Sequence, residues 1–161
     1  QSPNMRSLPA ATLYPGVGLH ESALSVGRGT DKPFEVIGAP YIDDRRLAAE
    51  LDDARLPGVR FVPIRFTPTY STFKDKPCGG VAFVITDREK LNAVDLGIVI
   101  ALTLQRLYPN DFALAKMSTL LRDDATLEAI KSGKPLAEIK RGWAADLAEF
   151  KKRQKQFLLY Q

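Results

Sequence analysis

A glycine-bracketed arginine, Gly27-Arg28-Gly29-Thr30-Asp31, is the most informative local feature of this 161-residue chain. Glycine on both sides lets the backbone take positive φ or come close to a ligand. Arg28 can then present its planar fork to a carboxylate or phosphate. The same run can equally be a tight turn in which Arg28 bonds to nearby carbonyls or to Asp31. It is no phosphate loop, because neither GxGxxG nor GxxxxGK[ST] occurs. Glu21, Asp31 and Glu35 lie near enough in sequence to converge, and paired glycosidase carboxylates need a separation of about 5–10 Å.

His20 is the only histidine, so a His-based metal site is not expected and a structural role is the simpler one. Cys78 is the only cysteine. A nucleophilic thiol wants an adjacent base, and His20 is far away in sequence, so Cys78 reads as a small buried residue at a strand entry. No metal site or cofactor is assigned to the chain on these grounds. The segment Thr67-Pro68-Thr69-Tyr70-Ser71-Thr72-Phe73 gathers hydroxyls and aromatics, which suits sugars with polar rims and apolar ring faces. An ordinary surface loop with local side-chain bonds would have the same composition.

The elements that must position these groups follow from the hydrophobic pattern. Residues 1–40 are rich in proline and glycine and read as packed loop with short elements. Asp44 can cap a helix to about Arg55, and Gly58 turns the chain into a strand, Val59 to Phe66. Pro63 inside that strand argues for an edge position. A second strand spans Gly80 to Thr86, and the intervening loop favours antiparallel pairing. A helix apolar nearly all round, about Asp95 to Leu107, should be central. Two further helices are expected, about Leu127–Ser132 and Leu136–Arg153. The second carries a stripe of Leu136, Ile139, Trp143, Leu147 and Phe150, in which Trp143 is a packing residue. Phe157 to Tyr160 can form a short returning strand. The expected class is α+β: a small mixed, partly antiparallel sheet packed with about four helices, in one domain over residues 1–161.

The formal charge of +4 is mild, and much of it sits in Lys151-Lys152-Arg153-Gln154-Lys155, which reads as a solvated helix face. No nucleic-acid-reading motif accompanies it, so no nucleic-acid partner is expected. The longest apolar run, Leu96 to Leu104, falls well short of the ~18–20 residues of a membrane-spanning helix.

Taken in order, LYPGVGLHE at 13–21, SVGRGTDKPFEVIGAPYID at 25–43, GVRFVPIRFTPTYS at 58–71 and CGGVAFVITDRE at 78–89 resemble one family. Pro3-Asn4-Met5, Leu107-Tyr108-Pro109 and the end from Ile130 through Trp143 to Leu159-Tyr160 continue the likeness. The family is that of the exo-β-N-acetylmuramidases (NamZ), and this chain is similar to its C-terminal domain. The resemblance implies an exported, periplasmic or extracellular glycoside hydrolase that releases N-acetylmuramic acid from the non-reducing ends of peptidoglycan fragments. It also implies a Rossmann-like N-terminal domain that carries the catalytic glutamate, with the active site in a cleft between the two. Residues 1–43 would then form the junction and cleft segment. By the same resemblance Arg28 becomes a partner for the lactyl carboxylate of muramic acid, and Glu21, Thr30, Asp31 and Glu35 become cleft-wall residues; Thr67 and Tyr70 of the hydroxyl-rich segment are the further substrate-binding candidates. One departure stands out: the family commonly reads Glu-Gly-Thr where this chain has Glu21-Ser22-Ala23. A stand-alone module that binds wall sugars without hydrolysing them is the alternative.

Overall fold

The computed structural model describes residues 4–158. The sheet has three strands, β1 (Val36–Ala39), β2 (Val59–Phe66) and β3 (Cys78–Ile85), in the order β1-β3-β2. Both pairings are antiparallel, so the sheet is not mixed as the sequence suggested. The reason lies in the connections: β2 and β3 are joined by a loop, and β1 reaches β2 through a helix that leads to the far edge. Pro63 does sit on an edge strand, where its missing N–H breaks no ladder bond.

The described residues form six α-helices: α1 (Leu8–Val17), α2 (Asp44–Asp53), α3 (Ala93–Leu107), α4 (Ser118–Leu121), α5 (Asp124–Lys131) and α6 (Leu136–Gln154). α2 packs on β2 and β3, α3 lies behind α2, and α1 and α5 flank α3. The opposite face of the sheet stays open around Val62 and Val84. α3 is the central helix, with eight buried residues from Leu96 to Leu104. Its cap is Asn92, whose side chain accepts from the amides of Val94 and Asp95. Asp43 and Asp123, each one residue ahead of the aspartates that open α2 and α5, cap those helices in the same way.

α1 is the main departure from the sequence expectation, since it occupies the proline-rich start. Ser7 caps it by accepting from the Ala10 amide, and Pro9 falls in its first turn, where a missing N–H costs nothing. Pro15 falls in the last turn. α6 runs past the core after Trp143. Trp143 packs on the core and donates through Nε1 to Thr126 Oγ1 at 2.7 Å, as a packing residue should. Leu147 and Phe150 from the same stripe remain half exposed. Phe157 and Leu158 are exposed and pair with no strand, and the rest of the expected returning strand, Leu159 and Tyr160, lies outside the described residues.

The Cys-Gly-Gly block has a packing explanation. A Cβ on Gly79 would fall 2.2 Å from the Ile42 carbonyl oxygen, and one on Gly80 would fall 1.8 Å from that of Ile37. Both are backbone oxygens, so only glycine lets β3 lie this close to β1 and the turn after it. Cys78 beside them is buried at the strand entry, with its thiol donating to Lys76 O and held above the ordinary thiol range by burial.

Candidate functional site

Two loops meet at one edge of the sheet. The first, residues 27–35, leaves a short bridge between Ser25 and Gly38 and leads into β1. The second, residues 67–77, joins β2 to β3. They are tied at Gly29, whose carbonyl accepts from Thr69 N at 3.1 Å and Thr69 Oγ1 at 2.9 Å. Gly27 and Gly29 both take positive φ, at 77° and 82°. A Cβ on Gly29 would fall 2.5 Å from Tyr70 N, so this glycine admits the second loop and not a ligand. Phe34, Ser71, Phe73 and Asp75 also have positive φ although none is glycine, so left-handed strain concentrates in these two loops.

Arg28 is held from two sides. Its Nη2 lies 2.8 Å from Glu21 Oε1, and its guanidinium carbon sits 5.4 Å from the centroid of the Phe34 ring. Asp31, the partner considered from sequence, makes no ion pair among the described residues. Arg28 and Glu21 each keep about a quarter of their side-chain surface exposed, at 26% and 27%. Buried Arg28 Nε has no hydrogen-bond partner among the described residues. Phe34, the ring beneath Arg28, is buried and meets Tyr14 of α1 edge-on at 4.9 Å.

Most of the hydroxyls around these loops are already bonded within the domain. Thr30 Oγ1 donates to Gly27 O at 2.7 Å, and Thr72 Oγ1 donates to Glu21 O at 2.9 Å. Tyr70 donates its phenol to Asn4 Oδ1 at 2.7 Å. Glu35 accepts from the Ser7 hydroxyl at the start of α1. Asp31 and Thr67 differ: both are exposed, and neither side chain has a hydrogen bond or ion pair among the described residues.

Of the seven residues singled out from sequence, Thr30, Asp31 and Thr67 line one open depression of about 530 Å³, together with Arg6, Gly29, Phe66 and Thr69. Glu21 and Arg28 form a pair beside it, while Glu35 and Tyr70 are tied to the segment before α1. Sequence reasoning missed Phe66, which ends β2 directly before the Thr-Pro-Thr run. Its position as the last alternating residue of an edge strand was the available signal.

His20 is fully buried against α3 and serves the fold. Its Nε2 lies 2.9 Å from Gly97 O, and burial lowers its pKa to about 4.

These features define a small α+β domain whose edge loops surround one aromatic ring, with a carboxylate and a hydroxyl that have no partner among the described residues. The chain belongs to the exo-β-N-acetylmuramidase NamZ C-terminal family, whose model matches residues 12–160. It is 37% identical over 163 residues to the peptidoglycan β-N-acetylmuramidase NamZ of Bacillus subtilis (strain 168). That alignment covers 99% of this chain and 39% of the relative, so the chain spans well under half of the relative's length. Two crystal structures of DUF1343 family proteins from Bacteroides fragilis NCTC 9343 share the fold. One superposes with a TM-score of 0.86 at 23% identity, over 99% of this chain and 44% of that protein. The other gives 0.73 at 28% identity, over 99% and 43%.

Proposed function

We propose that this chain is the C-terminal domain of an exported glycoside hydrolase that releases N-acetylmuramic acid from non-reducing ends of peptidoglycan fragments. The observation that carries this reading is the 37% identity, across nearly the whole chain, to a relative named as a peptidoglycan β-N-acetylmuramidase. In this reading the two edge loops form one wall of the substrate cleft, and a preceding Rossmann-like domain supplies the other wall and the catalytic carboxylate. The carboxylates here suit a binding role better than acid–base catalysis: Glu21 is neutralised by Arg28, and Glu35 is occupied by Ser7.

Arg28 is the group for the lactyl carboxylate that distinguishes muramic acid from glucosamine. Glu21 and the Phe34 ring fix the guanidinium, so little side-chain freedom is lost when a second carboxylate docks. The test uses the full-length enzyme with muramic acid and glucosamine glycosides. Arg28→Ala should lower kcat/KM for the muramic acid substrate by about ten- to a hundredfold, because a partly exposed charged contact is lost. Turnover of any glucosamine glycoside it accepts should hardly change. An unaltered preference between the two would remove Arg28 from the site, and absence of hydrolysis by the unmodified full-length enzyme would overturn the function itself.

A further inference from the structure

We propose that Phe66 is a stacking platform for a pyranose ring and that Asp31 accepts hydrogen bonds from that sugar's hydroxyls. The inference rests on the saccharide reading above and adds two contacts to it.

The platform is built by the sheet. In the antiparallel register Ile64 stands opposite Gly80, and Gly80 stands opposite Gly38. Phe66 follows Ile64 by two residues and therefore projects from the same face. Neither glycine raises a side chain there, so the Phe66 ring can lie down across the sheet. A Cβ added to Gly38 would fall 2.7 Å from the ring. The ring is thus fixed on a backbone floor before any ligand arrives, and stacking on it costs little ordering entropy.

Its remaining surface faces two adjoining depressions. One, of about 530 Å³, holds Asp31, Thr30 and Thr67; the other, of about 440 Å³, holds Pro40, Arg65 and Pro77. Phe66 and Thr67 line both and form the saddle between them. Each volume lies within the range of small-ligand sites. A pyranose has an apolar face of C–H groups and a rim of hydroxyls, so it needs a flat apolar surface edged by acceptors. Phe66 supplies the first. Asp31, exposed and without a partner among the described residues, supplies the second.

The experiment titrates the ¹⁵N-labelled chain with N-acetylmuramic acid and N-acetylglucosamine while following backbone amide shifts. Both sugars should move the amides of Gly29, Thr67 and Thr69. Phe66→Ala and Phe66→Leu should each weaken binding by about tenfold, and Phe66→Tyr should stay within about threefold, since only the aromatic face matters. The leucine variant still covers Gly38, so its loss of binding would not reflect a collapsed floor. Asp31→Asn, at an exposed and unpartnered position, should weaken binding without touching the fold. Shifts confined to other surfaces, no measurable binding, or equal affinity for Phe66→Leu and the unaltered chain would each overturn the platform. Phe66-dependent binding in a protein whose full-length form releases no muramic acid would keep the platform and overturn only the hydrolase reading.

Discussion

Gly16→Ala is expected to cost about 3 kcal/mol of folding stability or more, the upper range for overpacking a close-packed interior. α1 crosses α3 at Gly16 and Gly97, with nothing between the two backbones. A Cβ on Gly16 would fall 1.7 Å from the Ala93 carbonyl oxygen, and one on Gly97 would fall 2.7 Å from the Gly16 carbonyl oxygen. No flexible side chain can give way at either point, so the helices must separate. Separation loosens the packing of Leu13, Val17, Leu96 and Ile100, all fully buried.

The damage should reach the two edge loops. α1 presents Tyr14 to Phe34, the ring beneath Arg28, and the Ser7 cap of α1 holds Glu35. Gly142→Ala is the matched comparison. Gly142 lies inside α6 with nothing within 4 Å of a built Cβ, so alanine there should stabilise by about 0.5–1 kcal/mol through helix propensity. Urea denaturation of both variants measures the contrast. A cost below about 1 kcal/mol for Gly16→Ala would show that the crossing yields more readily than its backbone contacts imply.

That crossing also explains what the sequence could and could not reveal. β2 was legible to the residue, because alternating apolar positions bounded by Gly58 and the Thr-Pro-Thr run leave little freedom. α3 was legible because its apolar run is long and buried on nearly every side. α1 was hidden, since Pro9, Pro15, Gly16 and Gly18 all speak locally against a helix. Its stability comes from the Ser7 cap and from α3, and a contact with a residue about eighty positions away has no local signature.

The site shows the same divide. The loop residues 27–31 and 67–70 were recognisable by type, and the structure does join those loops. Pairing was not recognisable: Arg28 takes Glu21 and not Asp31, and the hydroxyls of Thr30, Thr69 and Thr72, though not that of Thr67, are spent on backbone carbonyls. Which polar groups stay free for a ligand depends on that three-dimensional accounting. Phe66 escaped notice for the same reason, because its exposure depends on Gly38 and Gly80 in neighbouring strands.

Folding stability should fall by about 3 kcal/mol as pH drops from 6.5 to 4, with His20 as the cause. The folded protein holds His20 neutral: burial lowers its pKa from 6.5 to about 4, only partly opposed by the bond to Gly97 O. In the unfolded chain the same imidazole titrates near its ordinary value. Above pH 6.5 both states are neutral and the group contributes no pH dependence. Between 6.5 and about 4 the unfolded state binds a proton that the folded state refuses. Stability therefore declines by about 1.4 kcal/mol per pH unit through the middle of that window. Below it both states are protonated and the slope from His20 ends.

Carboxylates add their share only at lower pH. Glu50 is held down by its bond to Arg106, Asp87 by Lys90 and Glu138 by Lys134, so each loses its contribution below the ordinary carboxylate range. The two regimes separate in a series of urea midpoints from about pH 8 to about pH 2.5. His20→Gln retains an amide donor for Gly97 O but cannot titrate, so it should flatten the curve above pH 4.5 while leaving the steeper acid limb in place. A curve of the same shape in the variant would assign the loss to other groups. The imidazole lies at the crossing that orients α1, so acid-induced opening should begin where Gly16 meets Gly97 and reach the Arg28 loop through Tyr14 and Phe34.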